Sequence, residues 1–309
     1  MILGIDLGGT EIKLGWLSRE GKILERASAS VSFDGYRTPP PVTLLKEARI
    51  FLKSLSGPLE GIAVSACGQI DPDEGVVIGT NGKIPGYEGT PLKALLEEAF
   101  SVPVQALNDA NAAVLGEHFA GRAQGVRDVV MITLGTGVGG GVITEGRLLR
   151  GRRGIAGELG HFSLRADGAP CPCGKRGCFE SYASVTALVR SCGEASGRTG
   201  LNGRIIFEEI AQGNEIFRSV LSRWILEIAE GLSGLVHLFN PELILIGGGV
   251  SRQEELLISP LREATLARCM PRFREGLRLE SAALGNDAGL LGALRFWLDQ
   301  EEGPDAQHR

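Results

Sequence analysis

Two glycine-rich segments of this chain follow the same pattern, and this internal similarity constrains the fold more than any other feature. Residues 5–10 (IDLGGT) can be laid on residues 132–137 (ITLGTG) with hydrophobic residues and glycines in register. Each segment closes a short apolar run typical of a buried strand, and a second predicted strand follows each of them. The match predicts two related α/β halves, each presenting a glycine-rich turn between two strands.

The other apolar runs and turn residues fill in both halves. In the first half they predict strands over residues 2–5, 11–17, 22–31, 61–65 and 104–107. Helices are predicted to open at residues 39–41, at Thr90 as N-cap with Pro91 in the first helical position, and at about residue 109. The second half predicts a strand over 128–134, a turn over 135–141, a hairpin over 142–149, a helix near 215–239, a strand over 243–246 and a helix over 288–298.

The length of 309 residues is sufficient for two domains. We predict an N-terminal α/β domain over residues 1–110 that also takes the C-terminal helix at about 288–300, a C-terminal α/β domain over residues 111–287, and a polar, frayed tail over residues 301–309.

The two glycine turns are candidate phosphate-binding loops, because glycine lets backbone N–H groups approach phosphate oxygens without obstruction by a Cβ atom. In the first turn the hydroxyl of Thr10 can add a donor, and Asp6 is placed to hold a metal-bound water. A tight hairpin turn is an equally good interpretation of this segment alone. The second turn joins strand to strand, whereas a dinucleotide fingerprint must open a helix. Taken together, the two turns favour a two-sided phosphate clasp.

Two further groups of residues follow predicted strands. Gly247, Gly248 and Gly249 leave room for a flat group such as adenine, or else pack against the sheet. Asn108 and Asp109 stand at the end of a strand, the usual place for ligand residues in an α/β fold. Asp109 could accept a proton from an attacking hydroxyl; the alternative is that it caps the following helix.

The segment 158–180 contains the ligand types of a closed tetrahedral zinc site. These ligands are His161, Cys171, Cys173 and Cys178. Cys171 and Cys173 are too close in sequence for an easy disulfide. Carboxylates flank the segment at Glu158 and Glu180, so a metal could fix them within a rigid polar pocket.

Charge and composition exclude other classes of protein. The net charge is −5 without a basic block, which argues against a nucleic-acid partner. No signal peptide is visible after Met1, and the longest uncharged run, residues 129–144, is a poor membrane span because it is short and rich in glycine. We therefore expect a cytoplasmic protein with no membrane partner, whose reduced thiols favour a metal over disulfides.

These motifs resemble the ROK family of sugar kinases and repressors, and its bacterial glucokinases in particular, within the actin-like ATPase superfamily. The resemblance runs over residues 2–298, through the motifs at 6–10, 108–111, 134–141, 157–161, 171–180, 246–249 and 286–289. It implies a two-domain actin-like ATPase (RNase H-like) α/β fold with a cleft between the domains and a small zinc-binding segment. It also implies a homo-oligomer, either a dimer or a tetramer.

The same resemblance implies transfer of the γ-phosphoryl group of Mg-ATP to the 6-hydroxyl of a hexose, with Asp109 as catalytic base. The implied sugar-binding residues are Gly68, Asn81, Asn108, Asp109, Glu158, His161 and Glu180. The implied residues for ATP and its phosphates are Asp6, Gly8, Gly9, Thr10, Lys13, Gly135, Thr136, Gly137, Gly247, Gly248 and Gly249. Structural Zn²⁺ would be held by His161, Cys171, Cys173 and Cys178, and Mg²⁺ would accompany ATP.

Glucose is the expected acceptor, and the alternative is N-acetylmannosamine or another amino sugar. Many relatives have proline at the position of Cys67, and residues 84–90 look more like those of N-acetylmannosamine kinases. A sugar-sensing repressor is disfavoured, because family repressors carry a helix-turn-helix before the first phosphate loop, and this loop starts at Asp6. A zinc-stabilised protein that binds sugar without catalysis is disfavoured by the presence of Asp6, Asp109 and both glycine loops. The sequence leaves open whether ATP or polyphosphate is the phosphate donor.

Overall fold

The computed structural model describes residues 1–32, 34–80 and 84–302, which form an α/β protein as the sequence predicts. The chain divides into two compact units. Unit 1 comprises Met1–Gln124, Leu148–Ala156 and the chain from Asn286 onwards, and unit 2 comprises Gly125–Arg147 and Gly157–Gly285. Within the described residues no helix combines the length and the apolar character that a membrane span needs.

The first part of unit 1 alternates strands and helices. Its strands are β1 (Ile2–Leu7), β2 (Glu11–Leu17), β3 (Ile23–Ser30), β4 (Gly61–Ala66), β5 (Gln69–Asp71), β6 (Val76–Gly79) and β7 (Val104–Asn108). Its helices are α1 (Pro40–Lys53), α2 (Leu92–Phe100) and α3 (Asp109–Ala120). The hairpin β5–β6 was not predicted from the sequence, because its strands have only three and four residues.

The main sheet of unit 1 has the strand order β3-β2-β1-β4-β7. Strands β1, β4 and β7 are parallel, and β2 and β3 continue the sheet in antiparallel pairing. Both β1 and β4 are buried along almost their whole length, as expected of parallel strands covered on both faces. Their carboxyl ends meet at one edge, where Asp6 pairs with Ser65 and Ala66 pairs with Asn108.

Unit 2 contains a second sheet and the remaining helices up to residue 285. Its strands are β8 (Val129–Leu134), β9 (Val138–Thr144), β10 (Arg147–Leu148), β11 (Leu243–Gly247) and β12 (Arg278–Ser281), and the second residue of β10 is where the chain passes into unit 1. Its helices are α4 (Glu180–Ala183), α5 (Val185–Ser196), α6 (Gly203–Ala211), α7 (Glu215–Phe239), α8 (Ser259–Arg268) and α9 (Pro271–Arg274). The strand order β10-β9-β8-β11-β12 repeats that of unit 1, with the third, second, first, fourth and fifth strands side by side. The two related halves predicted from residues 5–10 and 132–137 are thereby confirmed at the level of topology.

The prediction that Thr90 caps α2 is wrong. The helix begins at Leu92 with Pro91 in the cap position, and the hydroxyl of Thr90 donates to the carbonyl oxygen of Tyr87 at 2.6 Å. Residues 90 and 91 are held against β6, where the amide of Val77 donates to the carbonyl of Thr90 at 3.0 Å. This pairing keeps the chain extended, so the helix cannot start earlier.

The turn predicted over residues 135–141 is shorter than expected, because β9 already begins at Val138. Glycine is needed in this strand for packing. A Cβ atom on Gly140 would lie 2.4 Å from Cγ of Leu159 and 2.7 Å from the carbonyl oxygen of Gly157. Gly140 of β9 therefore admits the neighbouring segment 157–160 and does not extend the loop.

The C-terminal helix α10 (Ala288–Glu302) crosses helix α3 so closely that the backbones of the two helices are in contact. A Cβ atom on Gly292 would lie 1.7 Å from the carbonyl oxygen of Ala112, and one on Gly116 would lie 2.3 Å from that of Ala288. This close packing holds α3 in unit 1, so the chain divides after Gln124 and not near residue 110. The predicted tail is helical through residue 302, and its remainder, residues 303–309, lies outside the described residues.

Candidate active site

The carboxylate of Asp6 is fixed at the end of β1. The hydroxyl of Ser65 donates to its Oδ1 at 2.8 Å, and Nζ of Lys13 lies 3.4 Å from its Oδ2. A Cβ atom on Gly289 would lie 2.9 Å from the same Oδ1, so glycine at the start of α10 leaves space for the carboxylate. Sequence reasoning gave Gly289 no role, although it belongs to the motif at residues 286–289.

The first glycine turn is closed by a bond from the amide of Gly8 to the carbonyl of Glu11 at 2.9 Å. Two more of its carbonyl groups, those of Gly9 and Thr10, are also bonded within the protein. The hydroxyl of Tyr36 donates to the carbonyl of Gly9 at 2.5 Å, and the amide of Val31 donates to that of Thr10 at 3.0 Å. Because these three carbonyl groups are occupied, they are not free to repel an anion that approaches the N–H groups of the turn.

The second glycine turn is built in the same way but is one residue shorter. Four residues separate the paired Leu7 and Ile12, whereas three separate the paired Leu134 and Val138. The amide of Gly135 donates to the carbonyl of Gly137 at 3.0 Å and closes the turn. The carbonyl groups of residues 135 and 136 accept bonds from α5, as described below for Val185 and Thr186.

Asn108, and not Asp109, caps helix α3. The Asn108 side-chain oxygen accepts bonds from the amides of Ala110 and Asn111 at 2.9 and 3.1 Å. Its Nδ2 donates to the carbonyl of Gly68 at 2.8 Å and to Oδ1 of Asp109 at 3.0 Å. These four bonds use the whole hydrogen-bonding capacity of the amide. Asn108 therefore orients Asp109, whose side chain is exposed at the N-terminus of the helix.

Gly68 has a structural reason to be glycine. Its φ of +94° lies in the left-handed region, and a Cβ atom there would be 2.8 Å from the carbonyl oxygen of Gly79. This turn directs the Gly68 carbonyl at Asn108, so both predicted sugar-binding residues contribute to placing Asp109.

A thiol and a phenol lie close to Asp109. Burial and, to a smaller extent, the negative charge of Asp109 raise the pKa of Cys67 to about 12. Tyr87 is only 1% exposed, and burial followed by the neighbouring Cys67 raises the pKa of its hydroxyl. Among the described residues no group meets the geometry of a hydrogen bond to that hydroxyl, and the weakly bonding thiol of Cys67 lies beside it. Sequence reasoning missed Tyr87, although the departure of residues 84–90 from the glucokinase pattern pointed to this segment.

The predicted zinc ligands come together in unit 2. The ligand atoms of His161, Cys171, Cys173 and Cys178 all lie within 4.8 Å of one another. Nδ1 of His161 is 3.6 Å from Sγ of Cys171, and Sγ of Cys173 is 3.6 Å from Sγ of Cys178. Tetrahedral zinc with Zn–S bonds of about 2.3 Å places its sulfur ligands about 3.8 Å apart. The four residues therefore fit a tetrahedral metal ion.

Without a cation, two of the three thiols in this cluster are unfavourable to ionise. Burial raises the pKa of Cys178 to about 12 and also raises that of Cys171. A bound cation would reverse this preference, because the metal ligand is the thiolate. The other ring nitrogen of His161, Nε2, lies 4.0 Å from Oε2 of Glu158. The imidazole therefore has the three cysteines on one side and a carboxylate on the other.

Glu180 lies against the second glycine turn. Its Oε2 accepts a bond from the amide of Val138 at 2.9 Å, and its Oε1 is 3.9 Å from Sγ of Cys171. This predicted sugar-binding residue thus contacts both the second glycine turn and the segment with the predicted zinc ligands.

A cavity of about 740 Å³ in unit 2 adjoins the same turn. Thr136 and Gly249 lie at its edge with the apolar side chains of Val189 and Phe207, and Asn202 adds a polar group. For the glycines at 247–249 the sequence predicted either space for a flat group or packing against the sheet, and the three residues differ in which role fits. A Cβ atom on residue 247 or 248 would strike β8 at 2.7 or 2.1 Å, whereas one on residue 249 would have nothing within 4 Å. Packing explains the first two, and only Gly249 opens onto the cavity.

The predicted residues are shared between the units. Unit 1 carries Asp6, Gly8, Gly9, Thr10, Lys13, Gly68, Asn108 and Asp109. Unit 2 carries Gly135, Thr136, Gly137, Glu158, His161, Glu180, the three cysteines and the glycines at 247–249. Asn81, the remaining predicted sugar-binding residue, lies outside the described residues.

Comparison with known proteins identifies the family. The family model described as ROK family matches residues 2–300. The chain belongs to the ROK family.

Individual ROK proteins match over nearly the whole chain. The glucokinase of Thermotoga maritima is 35% identical over 306 residues, which cover 94% of this chain and 95% of that protein. The solved structure of a ROK family glucokinase from Streptomyces griseus, in complex with glucose and AMPPNP, has a TM-score of 0.83 and 33% identity over 97% of this chain and 99% of that one. A Listeria monocytogenes protein described as a candidate N-acetylmannosamine kinase has a TM-score of 0.84 and 33% identity over 98% and 99% of the two chains.

Proposed function

We propose that this ROK protein is an ATP-dependent hexose kinase that transfers the γ-phosphoryl group of Mg-ATP to the 6-hydroxyl of a hexose, with glucose as the acceptor. The observation that carries the proposal is the exposed carboxylate of Asp109, which Asn108 orients while itself capping the helix. Similarity to the glucokinases of Thermotoga maritima and Streptomyces griseus supports the same activity.

Asp109 would act as the catalytic base. A sugar hydroxyl is a weak nucleophile, so a carboxylate must take its proton as the new P–O bond forms. Oδ1 of Asp109 accepts bonds from Nδ2 of Asn108 at 3.0 Å and from the amide of Ala110 at 2.8 Å. These bonds fix the orientation of the carboxylate before an acceptor binds, which is the kind of preorganisation that a positioned base requires.

The nucleotide would bind in the cavity of unit 2 and at the second glycine turn that adjoins it, and the first glycine turn of unit 1 is the other candidate phosphate loop. The apolar walls of the cavity suit a purine ring, and Gly249 leaves the edge open. Mg²⁺ would be held through water by Asp6 and would supply neutralisation of phosphate charge, the main requirement of phosphoryl transfer. Lys13 adds a positive charge beside the same carboxylate.

Zinc would have a structural role in this kinase. The four ligand residues fit a tetrahedral ion, and they hold the ends of a segment that carries Glu158 at one side and Glu180 at the other. We further propose that each unit is one half of an actin-like ATPase fold, as the repeated strand order and the ROK relatives suggest.

An amino-sugar kinase is the second candidate. The likeness to the Listeria monocytogenes protein favours it, as do Cys67 and Tyr87 close to Asp109. Different side chains beside the acceptor are the usual origin of selectivity between sugars. A sugar that leaves a buried polar group of the protein without a partner is rejected.

The test is ADP release by the purified protein with Mg-ATP and glucose, mannose, N-acetylglucosamine, N-acetylmannosamine, fructose or no sugar. A strong response to glucose supports the main proposal, and a preference for N-acetylmannosamine supports the second. No response to any sugar would contradict both.

Replacement of the base provides a sharper check. Asp109→Asn is expected to lower turnover by about 10²- to 10⁴-fold, because the amide cannot accept the hydroxyl proton. Binding of Mg-ADP should be retained in this variant, since Asp109 belongs neither to the glycine turns nor to the lining of the cavity. Near-normal turnover would exclude Asp109 as the base.

A further inference from the structure

One short segment of unit 2 holds the second glycine turn in place. The amide of Val185 donates to the carbonyl of Gly135 at 2.9 Å, and the hydroxyl of Thr186 donates to that of Thr136 at 2.8 Å. Oε2 of Glu180 accepts the bond from the amide of Val138, the first residue after the turn. Of these three bonds only that of Glu180 involves a charged side chain, and bonds to charged groups are the stronger ones.

The carboxylate lies directly beneath the backbone of Gly137. A Cβ atom on that glycine would be 2.3 Å from Oε2 and 3.1 Å from Cδ of Glu180. Gly137 is not among the glycines with positive φ, so its conformation alone does not require glycine. Space for Glu180 is thus the structural reason for glycine at the end of the turn.

The second carboxylate oxygen faces the metal segment. Oε1 of Glu180 is 3.9 Å from Sγ of Cys171, and Glu180 follows Cys178 by two residues. A single side chain therefore connects the residues that fit a zinc ion with the turn that would hold phosphate.

We propose that Glu180 is a positioning residue for the phosphate-binding turn at residues 135–137, whatever contact it also makes with the sugar. The inference rests on the proposed nucleotide-dependent kinase activity. A turn held by Val185 and Thr186 alone has more conformational freedom, which it must give up when the nucleotide binds. Loss of the Glu180 bond therefore weakens nucleotide binding even when no sugar is present.

The test compares Glu180→Gln, Glu180→Asp and Glu180→Ala, with the dissociation constant of Mg-ADP measured by calorimetry in the absence of sugar. Zinc content is determined for each protein. Glutamine keeps the length and an acceptor oxygen for the Val138 amide, so its dissociation constant should stay within about threefold of wild type. Aspartate keeps the negative charge, but its shorter side chain does not reach the Val138 amide. Alanine removes both the charge and the acceptor oxygen. We expect both variants to bind about tenfold more weakly.

Two further variants separate this role from sugar binding. Thr186→Val removes the neighbouring bond to the turn and should also weaken Mg-ADP binding while leaving the zinc content unchanged. Glu158→Ala should raise the KM for sugar without changing the dissociation constant of Mg-ADP, because its carboxylate lies beside the imidazole of His161.

The outcomes are distinguishable. Equal Mg-ADP affinity in wild type, Glu180→Asp and Glu180→Ala, with only the KM for sugar altered, would overturn the positioning role and leave the kinase proposal intact. Wild-type protein that does not bind Mg-ADP would contradict the kinase proposal itself. If Glu180→Ala loses zinc or unfolds, the comparison of Glu180→Gln with Glu180→Asp decides the question, since only the positioning role predicts rescue by glutamine.

Discussion

Replacing Gly292 with alanine tests the packing that holds unit 1 together. Gly292 lies in α10, and a Cβ atom there would be 1.7 Å from the carbonyl oxygen and 2.5 Å from the carbonyl carbon of Ala112 in α3. These are backbone atoms of a helix, so no change of side-chain rotamer can relieve the contact. Since ordinary contact distances are about 3.5 Å, the helices would have to separate by roughly 1.8 Å.

Two opposing energies decide whether Gly292→Ala raises or lowers the free energy of unfolding. Alanine is favoured over glycine inside a helix by about 1 kcal/mol, which acts in favour of the variant. Overpacking typically costs about 1–3 kcal/mol, and contact with rigid backbone lies at or above the upper end. We expect Gly292→Ala to lower the free energy of unfolding by about 2 kcal/mol or more.

The matched control is Gly234→Ala in α7. Gly234 is also inside a helix, but a Cβ atom there would have nothing within 4 Å, so only the gain in helix propensity remains. This variant should raise the free energy of unfolding by about 0.5–1 kcal/mol.

Urea unfolding of the two variants and the wild type provides the assay. Far-UV circular dichroism follows the whole fold, and tryptophan fluorescence includes Trp297 on α10, which is only 3% exposed. An unchanged or higher midpoint for Gly292→Ala would refute the reasoning. The folded fraction of this variant should also lose activity, because α3 begins with Asp109 and α10 begins beside Asp6.

Three further results follow from the site. Tyr87→Phe should raise the urea midpoint by the equivalent of about 1 kcal/mol, because it removes a buried hydroxyl whose neighbouring thiol, Cys67, is a weak hydrogen-bond partner; a lower midpoint would show that the hydroxyl is well bonded. Zinc affinity, measured by competition with a chromophoric chelator, should rise from about pH 6 to about pH 8. The reason is that burial raises the pKa of Cys171 and Cys178, so both thiols must release a proton to bind; affinity independent of pH would contradict thiolate ligation. Cys173→Ala should lower both zinc content and thermal stability, and fully active protein without zinc would exclude the structural role.

Much of the fold follows from local sequence patterns. Apolar runs and turn residues predicted β1, β2, β4 and β7 to within two residues, because a buried strand and its turn leave a periodic signal in adjacent residues. The same reasoning placed α7 at its observed bounds. Where it was wrong, as at Thr90, pairing with a neighbouring strand overrode a local capping signal.

The division of roles within the site needed the tertiary structure. Asn108 and Asp109 are adjacent, and either residue type can cap a helix. The choice depends on a bond from Asn108 to Gly68, 40 residues earlier in the chain. Likewise, the bond between Val138 and Glu180 spans 42 residues.

The sequence by itself determined that the chain has two related α/β halves, which residue types could bind phosphate, sugar and metal, and which family they resemble. Only the tertiary structure decided what each residue does: which asparagine or aspartate caps, which glycines admit a neighbouring backbone, and which carboxylate supports a loop. The physical reason is that periodicity and turn chemistry act between neighbours in sequence, whereas close packing and hydrogen-bond saturation act between segments that only folding brings together.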